Sequence, residues 1–175
     1  LSPGNVHPVV RMPLVNALWV KMLWADPFAP GQTRDVRFHA PGGTRKVPTM
    51  HKVEELPYAR TQGWAMVSSA GEHGLTMDVL LPDEAGPTPP TPTGEALTAL
   101  YRDRALAQVS LALPRFSVET DTGLLSLLAS LGVRDLGTDE ARFDGISDTP
   151  LKVDALLHQS VLRVNEKGAE GAAAT

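Results

Sequence analysis

No cysteine occurs in the 175 residues. Disulfides, thiolate metal sites and cysteine nucleophiles are thereby excluded, while the compartment stays open because secreted proteins without disulfides exist. No apolar run reaches the length of a membrane span, and the first residues, LSPGNVHPVV, lack the charged and apolar regions of a signal peptide. That lack decides little if the chain is part of a longer protein. The charge balance is only mildly acidic. The 16 basic and 20 acidic side chains leave a formal net charge of -4, and nothing electrostatic points to nucleic acid or an anionic membrane as a partner. The usual catalytic patterns are missing too. His7, His39, His51, His73 and His158 show no HxxxH or HxH spacing, so no zinc site is expected. No GxSxG elbow, GxxxxGK loop or GxGxxG turn occurs. Ser68 and Ser69 followed by His73 read as a solvated hairpin loop, not a hydrolase site. The chain is not expected to be an enzyme, and no cofactor or metal is implied.

What is present reads as one β-rich unit. At 42% hydrophobic residues the chain has enough apolar surface for one core, and two independent domains are not expected. LVNALWVKMLW, residues 14–24, is apolar at both alternating sets of positions, the pattern of a central strand covered on both faces. Asn16 lies within it and, if buried, needs a hydrogen-bond partner. RDVRFHA and RKVPTMHKV flank the turn PGGT as a first hairpin, and GWAMVSSA and LTMDVLLP flank GEHG as a second. PDEAGPTPPTPTG, residues 82–94, is a proline-rich surface loop.

EALTALYRDR then shows helical spacing, with Thr93 as a candidate cap. ALAQVSLALPRFSVE is a strand interrupted at Pro114, which signals a bend or a change of sheet. DTGLLSLLASLG reads as a helix capped by Asp121, striped by Leu124, Leu127, Leu128 and Leu131, and ended by Gly132. The last strand, LLHQSVLRVNE, sets Leu156, His158, Ser160, Leu162 and Val164 on one face. His158 on that face reads as a core histidine needing a hydrogen bond, and Asn16 is its candidate partner on a neighbouring strand. The closing segment KGAEGAAAT has no large side chain except Lys167 and Glu170. Composition leaves two readings open: a disordered small-residue tail, or a segment able to leave solvent and become a strand in a crowded interior.

Motifs spread along the chain resemble those of the serpin family. LVNALWVKMLW followed by PF is similar to the serpin stretch LVNAxYFKGxW, VPTMHK to VPMMxx, DVLLPDE to xILLPDE, and LPRFSVE to LPKFxIE. LLASLGVRDLGTDEARFDGIS resembles the helix and loop LxxLGxxxxFxxxADxSGIS, and LHQSVLRVNEKG resembles VHKAxLEVxEEG. VNEKGAEGAAAT resembles the hinge of the serpin reactive-centre loop. The sequence departs from the pattern at Met22, where Gly is usual, at Ala169 and Gly171, and in its proline-rich loop.

The resemblance implies an incomplete serpin domain over residues 1–175: a multi-sheet α+β fold, β-rich with short helices. It would lack N-terminal helices and C-terminal strands and end inside the loop. It implies an inhibitor of a serine or, less often, a cysteine protease, acting as a suicide substrate whose cleaved loop inserts into the central sheet. The alternative is a non-inhibitory serpin with a binding or chaperone-like role. The hinge would span 165–175, with Glu166, Lys167, Gly168, Ala169, Glu170, Gly171, Ala172, Ala173, Ala174 and Thr175 as its residues. Trp24, Arg115 and Glu166 would mark the place where the loop enters. Asn16 and His158 would belong to the cluster that lets the sheet open, so that replacing Glu166 or His158 promotes premature insertion and polymers. The implied protein is an extracellular monomer capable of loop-sheet polymerisation, with the cytoplasm left open as its site.

Overall fold

The structure is a computed structural model that describes residues 14–40, 42–84, 86 and 90–175. His7 and the rest of 1–13 therefore lie outside the described residues, as do positions 85 and 87–89 of the proline-rich loop. Nine strands and two α-helices follow in order: β1 (Ala17–Leu23), β2 (Arg34–Ala40), β3 (Gly43–Thr61), β4 (Trp64–Ala70), β5 (Thr76–Pro82), α1 (Gly94–Asp103), β6 (Ala105–Pro114), β7 (Phe116–Gly123), α2 (Leu124–Ser130), β8 (Leu157–Asn165) and β9 (Gly168–Ala174). They form a five-stranded sheet of order β2-β3-β4-β5 with β6 also on β3, and a four-stranded sheet of order β1-β9-β8-β7.

Both expected hairpins are present. Strand β2 pairs antiparallel with the start of β3, and β4 with β5. The second partner of the first hairpin runs on well past Val53, because β3 continues through Pro57 and exchanges β2 for β6 and then β4 as its neighbour. Its turn into β4 is Gln62-Gly63, both at positive φ (53° and 76°). Two such residues in a two-residue loop match the right-handed strand twist. At Pro114 the chain changes sheet, as its missing ladder donor suggests: β6 pairs with β3, while β7 lies beside β8. Helix α1 is capped by Thr93, whose hydroxyl accepts from the Ala96 N–H at 3.1 Å. Its Leu100 is fully buried with Ala59 and Met66.

Helix α2 differs from expectation at its start. Gly123 occupies the cap position with no side-chain bond. Asp121 lies in β7 and accepts instead from Gln159 Nε2 at 3.0 Å. Gly132 at φ +100° ends the helix as expected, but none of the helix's leucines is buried.

By close approaches between its residues the chain groups into two compact parts. One holds β1 up to Val20, Ser117–Leu162 and Glu170–Thr175; the other holds Lys21–Phe116 and Arg163–Ala169. The second has a core of Met22, Trp24, Phe28, Met50, Leu56, Val67, Leu111, Leu113 and Val164. The first corrects the reading of residues 14–24 as covered on both faces: Leu18 and Trp19 are each 62% exposed, and Met22 is the one buried residue of β1. The double apolar pattern is real, but within residues 14–24 the described residues bury Met22 and Trp24 alone.

Candidate functional site

Strands β8 and β9 are joined by the two-residue turn Glu166-Lys167. The Asn165 side chain tightens it by accepting from the Lys167 N–H at 2.9 Å, the local bond that makes Asn a turn residue. The small-residue segment leaves this turn as β9 and lies between β1 and β8. Its register on β1 is antiparallel. Asn16 and Thr175 exchange both backbone hydrogen bonds at 2.9 Å, and eight residues on along β1 and eight back along β9, Trp24 N–H donates to Lys167 C=O at 3.0 Å.

Glu166 is held at the turn from three sides. Thr33 Oγ1 donates to its carboxylate at 2.8 Å, Arg115 Nη1 stands 3.6 Å from it, and its carbonyl accepts from Phe28 N–H at 3.0 Å. The carboxyl sits below its ordinary range chiefly through a bond from its own backbone amide, reinforced by Thr33 and the Arg115 charge. Its side chain is 15% exposed while that of Arg115 is 51% exposed, so solvent screens the ion pair more than the hydroxyl bond.

Trp24, 2% exposed, stands edge-on to Phe28 at 5.9 Å, and its Nε1 donates to Asn165 C=O at 2.8 Å. Thus Trp24, Arg115 and Glu166, singled out together in the sequence, all meet residues of this one turn. Thr33 was missed, and Asn165 fell within the expected hinge range without being singled out. Asn165 carries a legible signal, a turn-forming amide just before Lys-Gly, whereas Thr33 is distant in sequence and carries none.

Met22 sits beside the same turn. A Cβ on Gly168 would overlap the Met22 carbonyl oxygen and come within 2.9 Å of Leu23 Cα. A Cβ on Gly71 would overlap Met22 Cγ and approach Leu23 O at 2.9 Å. Two glycines thus close on one residue, so Met22, which departs from the serpin pattern, is accommodated by the bare backbone of Gly71. Further along β9, Ala169 packs against the core. Glu170 accepts from exposed Trp19 Nε1 at 3.1 Å, and Gly171 meets Leu162 and Val161 only at ordinary contact distances of 3.8 Å.

The expected bond between Asn16 and His158 is not formed. Strand β9 stands between their strands, and Thr175 takes both partners: its backbone pairs with Asn16, and its hydroxyl lies 2.7 Å from His158 Nδ1. His158 is half-buried and has its hydrogen bond, whereas Asn16 is exposed and bonds through its main chain. Among the described residues no cluster of three His, Asp or Glu is placed to hold a metal ion, and no helix is long and apolar enough to cross a membrane.

The family profile described as Serpin (serine protease inhibitor) matches residues 1–175. A serine protease inhibitor of Cyanea capillata is 31% identical over 99% of this chain and 49% of its own length. Emu (Dromaius novaehollandiae) ovalbumin, 27% identical, superposes with a TM-score of 0.89 over 99% of this chain and 48% of its own. A lamprey angiotensinogen cleaved in its reaction loop, 28% identical, superposes with a TM-score of 0.80 over 91% of this chain and 50% of its own. The chain spans about half the length of the curated relatives it matches. With the profile matched from end to end, the chain belongs to the serpin family.

Proposed function

We propose that the protein is a suicide inhibitor of serine endopeptidases, with residues 165–175 as the hinge of the loop that the protease attacks. The observation that carries this reading is the position of β9 between β1 and β8. In the family's general device, the protease serine forms an acyl-enzyme with the loop, and the cut loop enters the sheet as a new strand before hydrolysis completes. On this reading the described arrangement is the entered state.

This chain's residues suit that step. A strand that slides between two others must present side chains small enough to pass, and after Glu170 the segment carries only Gly and Ala up to Thr175. Once in place it gains backbone bonds to a neighbour on each side, each a net contribution of about 0.5–1.5 kcal/mol. Gly168 lets the strand begin against the Met22 carbonyl, and Glu166 anchors the point where it turns in. Thr175 then takes up His158 and the Asn16 main chain. Strand β9 lies between the strands of those two residues, which suits the role the resemblance gives them in opening the sheet.

The test is to mix the protein carrying this chain with a panel of serine proteases and run the products on a denaturing gel. A protease-sized upward shift that survives detergent is expected. Cleaved protein beside free, active protease in every lane would overturn the inhibitory reading in favour of a binding or chaperone-like one.

A further inference from the structure

We propose that the outer edge of β2 is a binding site for an extended acidic peptide segment, which joins the five-stranded sheet as an added strand. Strand β2 is the terminal strand of its sheet: along all seven residues it pairs with β3 on one side. Among the described residues no strand pairs with its other side. An edge of this kind presents a row of ladder donors and acceptors, the template for strand addition.

The charges on this hairpin select the occupant. Arg37 lies directly opposite Lys46 in the register, and Arg45 lies opposite Phe38, with Arg34 on the same face as Phe38. Like charges placed directly opposite across a ladder are destabilising. Here Arg34, Arg37, Arg45 and Lys46 are all exposed, and among the described residues none of them enters an ion pair. Four cations stand against one carboxylate, Asp35, in a chain whose formal net charge is -4. Charged side chains on an edge repel a second copy of the same edge. The same charges admit a strand of opposite sign, so the edge discriminates instead of being closed.

Distribution over the two faces separates a peptide from other anions. Successive side chains of a strand point to opposite faces, which puts Arg37 and Lys46 on one face and Arg34 and Arg45 on the other. A linear polyanion lying across one face reaches half of these cations. A peptide strand added at the edge offers carboxylates to both faces, and its main chain takes up the unpaired ladder groups.

The experiment uses the protein carrying this chain and a capped seven-residue peptide of Glu and Val, with a Lys and Val peptide as control. Hydrogen exchange is followed at Arg34–Ala40. The acidic peptide is expected to slow exchange at alternate β2 amides by about tenfold or more, in a salt-sensitive way, and the basic peptide to do nothing. Arg37→Glu with Lys46→Glu is expected to weaken binding about tenfold, and Arg34→Glu with Arg45→Glu likewise, with each variant's thermal melting checked against the parent.

N-methylation of alternate peptide amides, which keeps the charge and removes the ladder, is expected to abolish binding. Binding that survives N-methylation, or that a sulfated oligosaccharide reproduces equally well, would overturn strand addition in favour of general charge attraction. So would protection, in the free protein, of the alternate β2 amides that point away from β3. Loop insertion plays no part in these readouts, so they stand or fall independently of the inhibitory reading.

Discussion

Every buried residue among those described lies in Lys21–Phe116 or Arg163–Ala169, whereas β1 up to Val20, Ser117–Leu162 and Glu170–Thr175 contain none. The first region carries two apolar clusters around Met50 and Leu100, each fully buried. The second is apolar in sequence but leaves Leu14, Leu131 and Leu18 at 75%, 73% and 62% exposure. One region therefore draws its stability from apolar burial, at roughly 25 cal/mol per Å2 removed from water. The other draws mainly on its backbone ladders and a few side-chain bonds, such as those of Thr175 and Gln159. The hinge crosses this divide: Gly168 and Ala169 fall on the buried side, and Glu170–Thr175 on the open side.

The strongest way to break the comparison is to cut side chains on each side. Met50→Ala is expected to cost about 2–5 kcal/mol, as fully buried methionines do. Leu18→Ala should stay within about 0.5 kcal/mol, the range of exposed substitutions. Denaturant midpoints of the two variants check this, and similar losses would mean that the faces of β1 are covered in solution.

Next in size, Gly168→Ala is expected to destabilise the form with β9 in place by about 1–3 kcal/mol, since the added methyl meets backbone that must shift. Gly71→Ala should behave alike when made alone. Measured against Met22→Ala alone, which carries its own cost as a buried side chain, Gly71→Ala should cost less than it does beside Met22, with the Leu23 carbonyl contact left, whereas Gly168→Ala should cost the same in both backgrounds. Melting temperatures of the three single and two double variants give the pattern.

A smaller effect belongs to Glu166. Its carboxyl titrates below the ordinary 4.5 in the fold, so its stabilising contribution is complete above the unfolded value and is lost as pH falls through the depressed folded one. Glu166→Gln should cost about 1 kcal/mol at neutral pH and flatten the acid limb of a pH-stability profile. A variant retaining the parent's slope would assign that slope to other groups.

Smallest, and of opposite sign, is Gly171→Ala on the open side. With neighbours no closer than 3.8 Å, it should stabilise the strand by about 0.5 kcal/mol through lost freedom of the unfolded chain, measured against Gly168→Ala in the same assay.

Much of the fold was legible because it rests on local chemistry. The hairpins around GEHG and PGGT follow from alternation and turn residues, the cap at Thr93 from a hydroxyl just ahead of a helical pattern, and the change of sheet at Pro114 from its missing donor. Asp121 misled for a related reason. A carboxylate before an apolar run is a competent cap, but Gln159 on the neighbouring strand offered it another bond, and the helix starts beyond it.

The candidate site was legible in part. The resemblance of the segments around Trp24, Arg115 and Glu166 to the family's motifs marked residues that meet at one turn. Thr33 and the Gly71–Met22 contact escaped because they join segments far apart in the chain, and neither hydroxyl nor glycine announces its partner.

By itself the sequence determined which segments are strands, where they turn, to which family they belong, and that residues 168–174, Glu170 apart, are small enough to enter a packed sheet. Only the tertiary structure decided that these residues do lie between β1 and β8, and that His158 therefore bonds Thr175 and not Asn16. The physical reason is that small side chains permit a strand at many places without favouring one. The choice of place comes from ladder partners and from the turn at Glu166, and among these β1, Phe28 and Thr33 lie more than a hundred residues away in the chain.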